Sequence, residues 1–236
     1  MDFSGVLPRR TGSAVAVVLC AIGLSGCFDL SQRVAINREG AGTYAVEIAA
    51  DGIVGDGLDR HHADIDIGDN RAVTRVSHHG DSTVQTSEIA FNDLSDLKLS
   101  DETISLHVKG KKFLGLGGTE VNFHRSFRVD SARHHHDEDD GDHLGHDVLT
   151  SMFGDHTYTF SVWLPGSIEH VAPVVVRGEP VYPQVWSDRY GHTVIWKMKL
   201  VDMFLSDRLD FDVDFVAHGD FHDTETKWSP HRHHET

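Results

Sequence analysis

Apolar and polar residues alternate with a period of two along most of this chain, the spacing that sends successive side chains to opposite faces of a β-strand. The segment RLDFDVDFVA is the cleanest case, with Leu209, Phe211, Val213 and Phe215 on one face and Asp210, Asp212 and Asp214 on the other. HTYTFSVWLPG places Tyr158, Phe160, Val162 and Leu164 together and stops at Pro165-Gly166. HTVIWKMKL sets Val194, Trp196, Met198 and Leu200 against Ile195, Lys197 and Lys199. Earlier, Val34 and Ile36, then Tyr44, Val46 and Ile48, alternate on either side of the turn residues Glu39-Gly40-Ala41-Gly42 and predict a β-hairpin. AVTRV and STVQTSEIAF, joined by Ser77-His78-His79-Gly80-Asp81, predict two further strands. ISLHVKGKKF and VNFHRSFRV predict another pair, linked through the apolar turn LGLGG. FNDLSDLKLSD has the pattern of a helical turn, DGIVGDGLDRHHADIDIGDN that of a loop or a short helix, and VLTSMF that of a short helix. The expected class is α+β: a single β-rich domain, mostly antiparallel, with a few short helices.

The first residues do not fit that pattern. Two arginines, Arg9 and Arg10, precede an apolar run from Ser13 to Gly26 that is short for a membrane span. The run closes on Leu24-Ser25-Gly26-Cys27, which resembles the bacterial lipobox, small residues before a cysteine that receives a diacylglycerol and becomes the mature N-terminus. Residues 1–26 are therefore expected to be a lipoprotein signal peptide, with Cys27 as the lipidation site. Several acyl chains make a stable anchor where one is marginal. The expected location is extracytoplasmic, on the periplasmic face of a cell membrane, with inner and outer membrane both open. The other cysteine, Cys20, falls in the removed segment, so the mature chain is left without a thiol for disulfide, metal or nucleophile chemistry. No later stretch reaches the roughly eighteen apolar residues of a membrane helix.

Charge narrows the partners. The chain carries −16 at neutral pH, and removing Asp2, Arg9 and Arg10 with the leader moves this to −17. That excludes the basic footprint of a nucleic-acid binder and any broad electrostatic hold on anionic lipid. All 19 histidines lie beyond Cys27, so full protonation takes −17 to +2, and imidazoles titrate near about 6.5.

The order of elements resembles a family of bacterial lipoproteins typified by LppM. The motifs are Asn37-Arg38-Glu39-Gly40-Ala41-Gly42 in the first hairpin, Phe91-Asn92-Asp93-Leu94-Ser95-Asp96-Leu97, Leu164-Pro165-Gly166, and Gly191-His192-Thr193-Val194-Ile195-Trp196. They span nearly all of the mature chain. The resemblance implies an α+β extracytoplasmic domain that binds lipid or envelope components, and no catalytic residues. The C-terminal transmembrane helix that members often carry is not in this sequence, and its histidine-acid insertion is not in the family's pattern.

That insertion, RHHHDEDDGDHLGHD, is the strongest chemical feature. His134, His135, His136, His143 and His146, with Asp142 and Asp147, are candidate ligands for zinc or another divalent transition metal, because neutral imidazole suits these ions and a carboxylate can orient it. His143 and His146 are three apart, so a helical turn brings them to one face. No rigid framework fixes the geometry, so loose multivalent capture and a solvated spacer both remain open. His61 and His62 form a second, smaller candidate cluster with Asp64 and Asp66. His78 and His79 fall in a turn, and His231, His233 and His234 in a polar tail. The aspartate ladder at 210, 212 and 214 spaces its carboxylates about 7 Å apart. Cross-strand neutralisation by Lys197 and Lys199 is expected if strand 193–200 lies beside it.

No nucleophile elbow, zinc-protease helix or phosphate loop is present, and His146-Asp147 sits in an acidic loop, so no enzyme activity is expected. The expected organisation is a leader at 1–26, a β-rich domain at 27–222 with a His/Asp-rich loop at 130–147, and a disordered His-rich tail at 223–236. The expected function is a lipid-anchored envelope binding protein whose partners are the membrane and a lipid or envelope protein. The alternative is a metal-binding or metal-buffering lipoprotein acting through the 130–147 loop.

Overall fold

The structure, a computed structural model, describes residues 28–52, 72–99, 102–111, 117–128 and 153–228, together with 55, 56, 58 and 150. Alternation becomes strand as the periodicity predicts. In chain order the strands are β1 (Phe28–Ile36), β2 (Gly42–Asp51), β3 (Val73–His79), β4 (Ser82–Phe91), β5 (Lys98–Leu99), β6 (Glu102–Lys111), β7 (Thr119–Arg128) and β8 (Thr157–Pro165). They continue with β9 (Ser167–Val171), β10 (Val174–Val176), β11 (Glu179–Val181), β12 (Gln184–Ser187), β13 (Gly191–Lys199), β14 (Arg208–Ala217), β15 (Thr224–Glu225) and β16 (Lys227–Trp228). Helix is sparse: a five-residue helix at Leu200–Phe204, a 3-10 turn at Leu94–Asp96, and helical residues at 52, 55, 56, 58, 150 and 153. Among the described residues the α half of the expected α+β class is therefore only weakly met, and the chain is a β-rich fold.

Two sheets pack face to face. One has seven strands in the order β12-β13-β8-β1-β2-β4-β3, and the other five in the order β15-β6-β7-β14-β9. Within them every pairing is antiparallel except β1 with β8, which run parallel with Leu30 opposite Tyr158 and Ala35 opposite Trp163. Phe160 marks the middle of the sandwich. It stacks on Trp196 in its own sheet at 5.7 Å and reaches Phe211 at 4.6 Å and Phe123 at 6.4 Å in the other. Such ring pairs add about 0.5–1.5 kcal/mol each beyond the area they bury. Every core-facing residue expected from RLDFDVDFVA, HTYTFSVWLPG and HTVIWKMKL is buried.

Two turns show why their residues are what they are. Asn37 closes the β1–β2 hairpin by accepting from the Glu39 and Ala41 N–H groups at 2.9 and 3.0 Å, while Gly40 takes the left-handed conformation at φ 78°. A Cβ on Gly42 would lie 1.8 Å from the Ala35 carbonyl oxygen, so only glycine lets the two strands close there. The strand predicted to end at Pro165-Gly166 does so because Gly166, at φ 86°, passes the Val216 carbonyl at a distance no side chain allows.

The end of the chain departs from expectation. Residues 223–228, assigned to a disordered tail, form β15 against β6 and β16 against β5. The reason lies in a carboxylate remote in sequence. Asp93 caps the 3-10 turn by accepting from the Ser95 N–H at 2.7 Å, and also accepts from Thr224 Oγ1 and pairs with His222 Nε2, both at 2.6 Å. Thr226 adds a backbone bond to Ile104 at 2.9 Å and accepts the Ile104 N–H on its hydroxyl at 3.0 Å. Polar composition suggested a free tail, but these residues are polar because they hydrogen-bond across the domain.

Candidate functional site

The period-two pattern also carries polar residues into the core, and they converge. Arg125 occupies the core-facing parity of β7 between Phe123 and Phe127 and is fully buried. Its Nε donates to Glu102 Oε2 of β6 at 2.6 Å, and its Nη2 pairs with the same carboxylate. Its Nη1 donates to the Tyr158 hydroxyl of β8 at 2.8 Å, and its Nη2 also donates to Gln32 Oε1 of β1. Tyr158 donates to the same Gln32 oxygen at 2.5 Å, and the Gln32 amide donates to Tyr44 of β2 at 3.1 Å. The guanidinium carbon lies 4.2 Å from the Phe160 ring centroid, with Phe211 and Phe127 at 5.2 and 5.3 Å.

Five strands thus each give one polar side chain to a single knot between the sheets. Burial works against the Arg125 charge, but the Glu102 carboxylate and the two phenols outweigh it and hold the guanidinium above its ordinary range. Burial pushes the Tyr158 phenol up to about 12 despite the adjacent cation. Burial, and then the Glu102 charge, raise Tyr44 well above the usual phenol range. Both phenols stay protonated at neutral pH, Tyr158 donating to Gln32 and Tyr44 accepting from it. Each guanidinium nitrogen is engaged and the group is shut off from solvent, so the knot ties the sheets together and offers no acid, base or nucleophile to a substrate. The polar seam continues onto the inner face of β4 through the buried Thr83, Gln85 and Ser87. Sequence reasoning missed this knot although the signal was present, since Arg125, Glu102 and Gln32 all share parity with neighbouring core residues.

The outer face of β14 corrects a second expectation. Asp210, Asp212 and Asp214 lie opposite Ser126, His124 and Asn122 of β7, and β13 with Lys197 and Lys199 belongs to the other sheet. The ladder is neutralised by Arg208 on Asp210 at 2.8 Å, His124 Nδ1 on Asp212 at 2.9 Å, and Lys109 Nζ on Asp214 at 2.7 Å, where Asn122 also donates at 2.8 Å. The Asp212 hydrogen bond, against a smaller effect of burial, raises the His124 pKa above the ordinary imidazole range.

The sequence-predicted site residues lie outside the described residues: Cys27, His61, His62, His134, His135, His136, Asp142, His143, His146 and Asp147, and with them the tail histidines His231, His233 and His234. His78 and His79 are exposed at the end of β3. Among the described residues no three histidine, cysteine or carboxylate side chains are grouped to hold a metal ion, and no helix is long and apolar enough to cross a membrane.

At the start of the domain, the Phe28 N–H donates to His156 Nδ1 at 2.9 Å and Asp29 accepts the Thr157 N–H at 2.8 Å. Phe153 packs edge-on to His156 and to Phe204. These contacts fasten the first residue of β1 to the start of β8. On the sheet's far edge, Tyr182, Val185, Trp186 and Tyr190 leave their apolar surfaces in solvent.

No protein-family model matches the chain, and no curated protein matches it. Among solved structures, the NMR structure of the Mycobacterium tuberculosis LppM folded domain is similar at a TM-score of 0.37 and 12% identity, over 82% of this chain and 94% of that one. A superposition this loose assigns neither family nor function.

Proposed function

We propose that this chain is a lipid-anchored protein on the extracytoplasmic face of a bacterial membrane, and that its sandwich is a binding module rather than an enzyme. One observation carries the reading. The lipobox cysteine, Cys27, directly precedes Phe28, the first residue of a central strand that His156 and Thr157 clamp in place. A signal peptide cut at Cys27 leaves a domain that begins at once, with no residues spent on a linker. The buried polar knot joins the two sheets into one platform, and its guanidinium is sealed from solvent.

The test is expression of the full chain in a bacterial host, with and without an inhibitor of lipoprotein signal peptidase, beside a Cys27→Ala variant. The expected result is a membrane-bound chain whose N-terminal peptide carries the mass of an acylated cysteine, a leader retained under the inhibitor, and loss of acylation in the variant. A mature N-terminus elsewhere than Cys27, or an unmodified cysteine, overturns the reading.

A further inference from the structure

We infer that the open edge of β12 is a strand-addition site for an extended, acidic segment of a partner protein. The inference rests on the anchored-module reading and names the class of partner. β12 ends the seven-stranded sheet and pairs only with β13, Gln184 opposite Ile195 and Ser187 opposite His192; among the described residues no strand lies on its other side. All four of its residues are exposed, so solvent reaches both faces of the strand as well as its edge. The Asp188 N–H bonds the Gly191 carbonyl at 3.0 Å. The alternation of an antiparallel ladder then turns the backbone groups of Val185 and Ser187 outward.

Natural edges are commonly blunted by lysine, proline or a bulge. Strand 184–187 has no charged residue and no proline, and its pairing to β13 is regular. It instead presents apolar surface: Val185 is 47% exposed, Trp186 63%, and the flanking Tyr182 and Tyr190 73% and 64%. An edge of this kind binds by main-chain hydrogen bonds for affinity and alternate side chains for specificity.

Charge selects the occupant. Arg189, its guanidinium over the Tyr190 ring at 5.9 Å, lies just past the strand, and Lys197 projects on the outer face of β13 two residues beyond Ile195. The Asp188 carboxylate beside Arg189 is turned back onto the Tyr190 and Gly191 N–H groups at 2.7 and 2.8 Å and onto Trp163 Nε1 at 3.3 Å. Arg189 and Lys197 thus set exposed cations beside this edge on a chain of net charge −16. A second copy is the poorer fit. Antiparallel β12–β12 pairing about a two-fold axis normal to the sheet turns one molecule end over end, which sends the two Phe28 ends, and the anchors before them, in opposite directions.

The test is fluorescence anisotropy of the full chain in detergent micelles with a labelled heptapeptide of alternating glutamate and valine. Its lysine-for-glutamate counterpart and its fully N-methylated copy serve as comparisons. The acidic peptide is expected to bind, the lysine peptide about tenfold more weakly or not at all, and the N-methylated copy not at all. Val185→Pro, which removes an outward N–H while sparing the bonds to β13, is expected to abolish binding. Arg189→Glu with Lys197→Glu is expected to weaken it. The inference is overturned by no binding to the native chain, by equal binding of the N-methylated copy or of the lysine peptide, or by a concentration-dependent dimer that Val185→Pro dissolves. The peptide comparisons use the native chain, so they decide the matter even if the proline variant does not fold. Because the titration does not depend on acylation, its failure is distinct from failure of the Cys27 test.

Discussion

Replacing Arg125 by methionine should be among the most damaging single changes in the domain. The substitution keeps an unbranched apolar chain against Phe160 and Phe211 but strips the cation from the Glu102 carboxylate, whose side chain is only 5% exposed. Removing one partner of a buried ion pair costs about 3–5 kcal/mol, because the other charge is left uncompensated. Gln32 and Tyr158 lose their guanidinium partner at the same time. Against a typical total of about 5–15 kcal/mol, that is a large share of the domain's stability. The double variant Arg125→Met/Glu102→Leu should behave differently. With both charges gone, nothing charged is stranded, and buried pairs replaced by apolar residues of similar volume are often neutral or stabilising. The double variant is therefore expected to be well above the single variant in stability despite carrying one more mutation. Urea unfolding followed by tryptophan fluorescence reads this directly, with Trp196 fully buried beside Phe160 as a reporter. The denaturant slope should stay constant while the midpoint moves. An Arg125→Met variant within about 1 kcal/mol of the native chain, or a double variant as unstable as the summed singles, refutes the reasoning.

His124 gains proton affinity on folding through Asp212, so its contribution to stability is complete below the unfolded imidazole pKa and is lost as pH rises through the higher folded value; unfolding midpoints on either side of that window should differ less in Asp212→Asn than in the native chain. Burial opposes the Asp93 charge, but hydrogen bonds from Ser95, Thr224 and His222 together hold its carboxyl well below the usual range, so its contribution is present above the ordinary carboxylate pKa and fades only in strong acid. Asp93→Ala should cost about 1–3 kcal/mol and speed amide exchange at Thr224 and Thr226, and an unchanged exchange pattern argues against the clasp. Zinc titration by calorimetry of residues 28–236 should show a binding transition that disappears when 134–146 is replaced by a Gly/Ser linker; identical curves make the His/Asp-rich loop a spacer.

Strand identity was legible in the sequence because it is local: Phe211 and Phe215 announce their face by their neighbours two residues away. Strand order was not, because partners are chosen by the whole sheet. Lys197 and Asp212 are opposite charges on adjacent predicted strands, yet the chain places β13 and β14 in different layers. The Arg125 knot lies between these cases. Its parity was readable, but its partners come from β1, β2, β6 and β8, and no spacing rule brings residues 32, 44, 102 and 158 together. Residues 223–228 were misread because composition was taken for solvation, when the deciding group, Asp93, lies in the first half of the chain.

The parallel pairing of β1 with β8 has a consequence for how the protein is made. β1 finds β2 within a few residues, and β4 and β3 can follow in order. The other side of β1 stays an unpaired edge until Tyr158 and its neighbours have left the ribosome. Long-range pairings of this kind form late, and the half-finished sheet is exposed to mispairing while it waits. During synthesis the chain therefore emerges N-terminus first with its central strand half-dressed, and sheet closure waits for the second half. A holding chaperone would act in that interval, and on that edge.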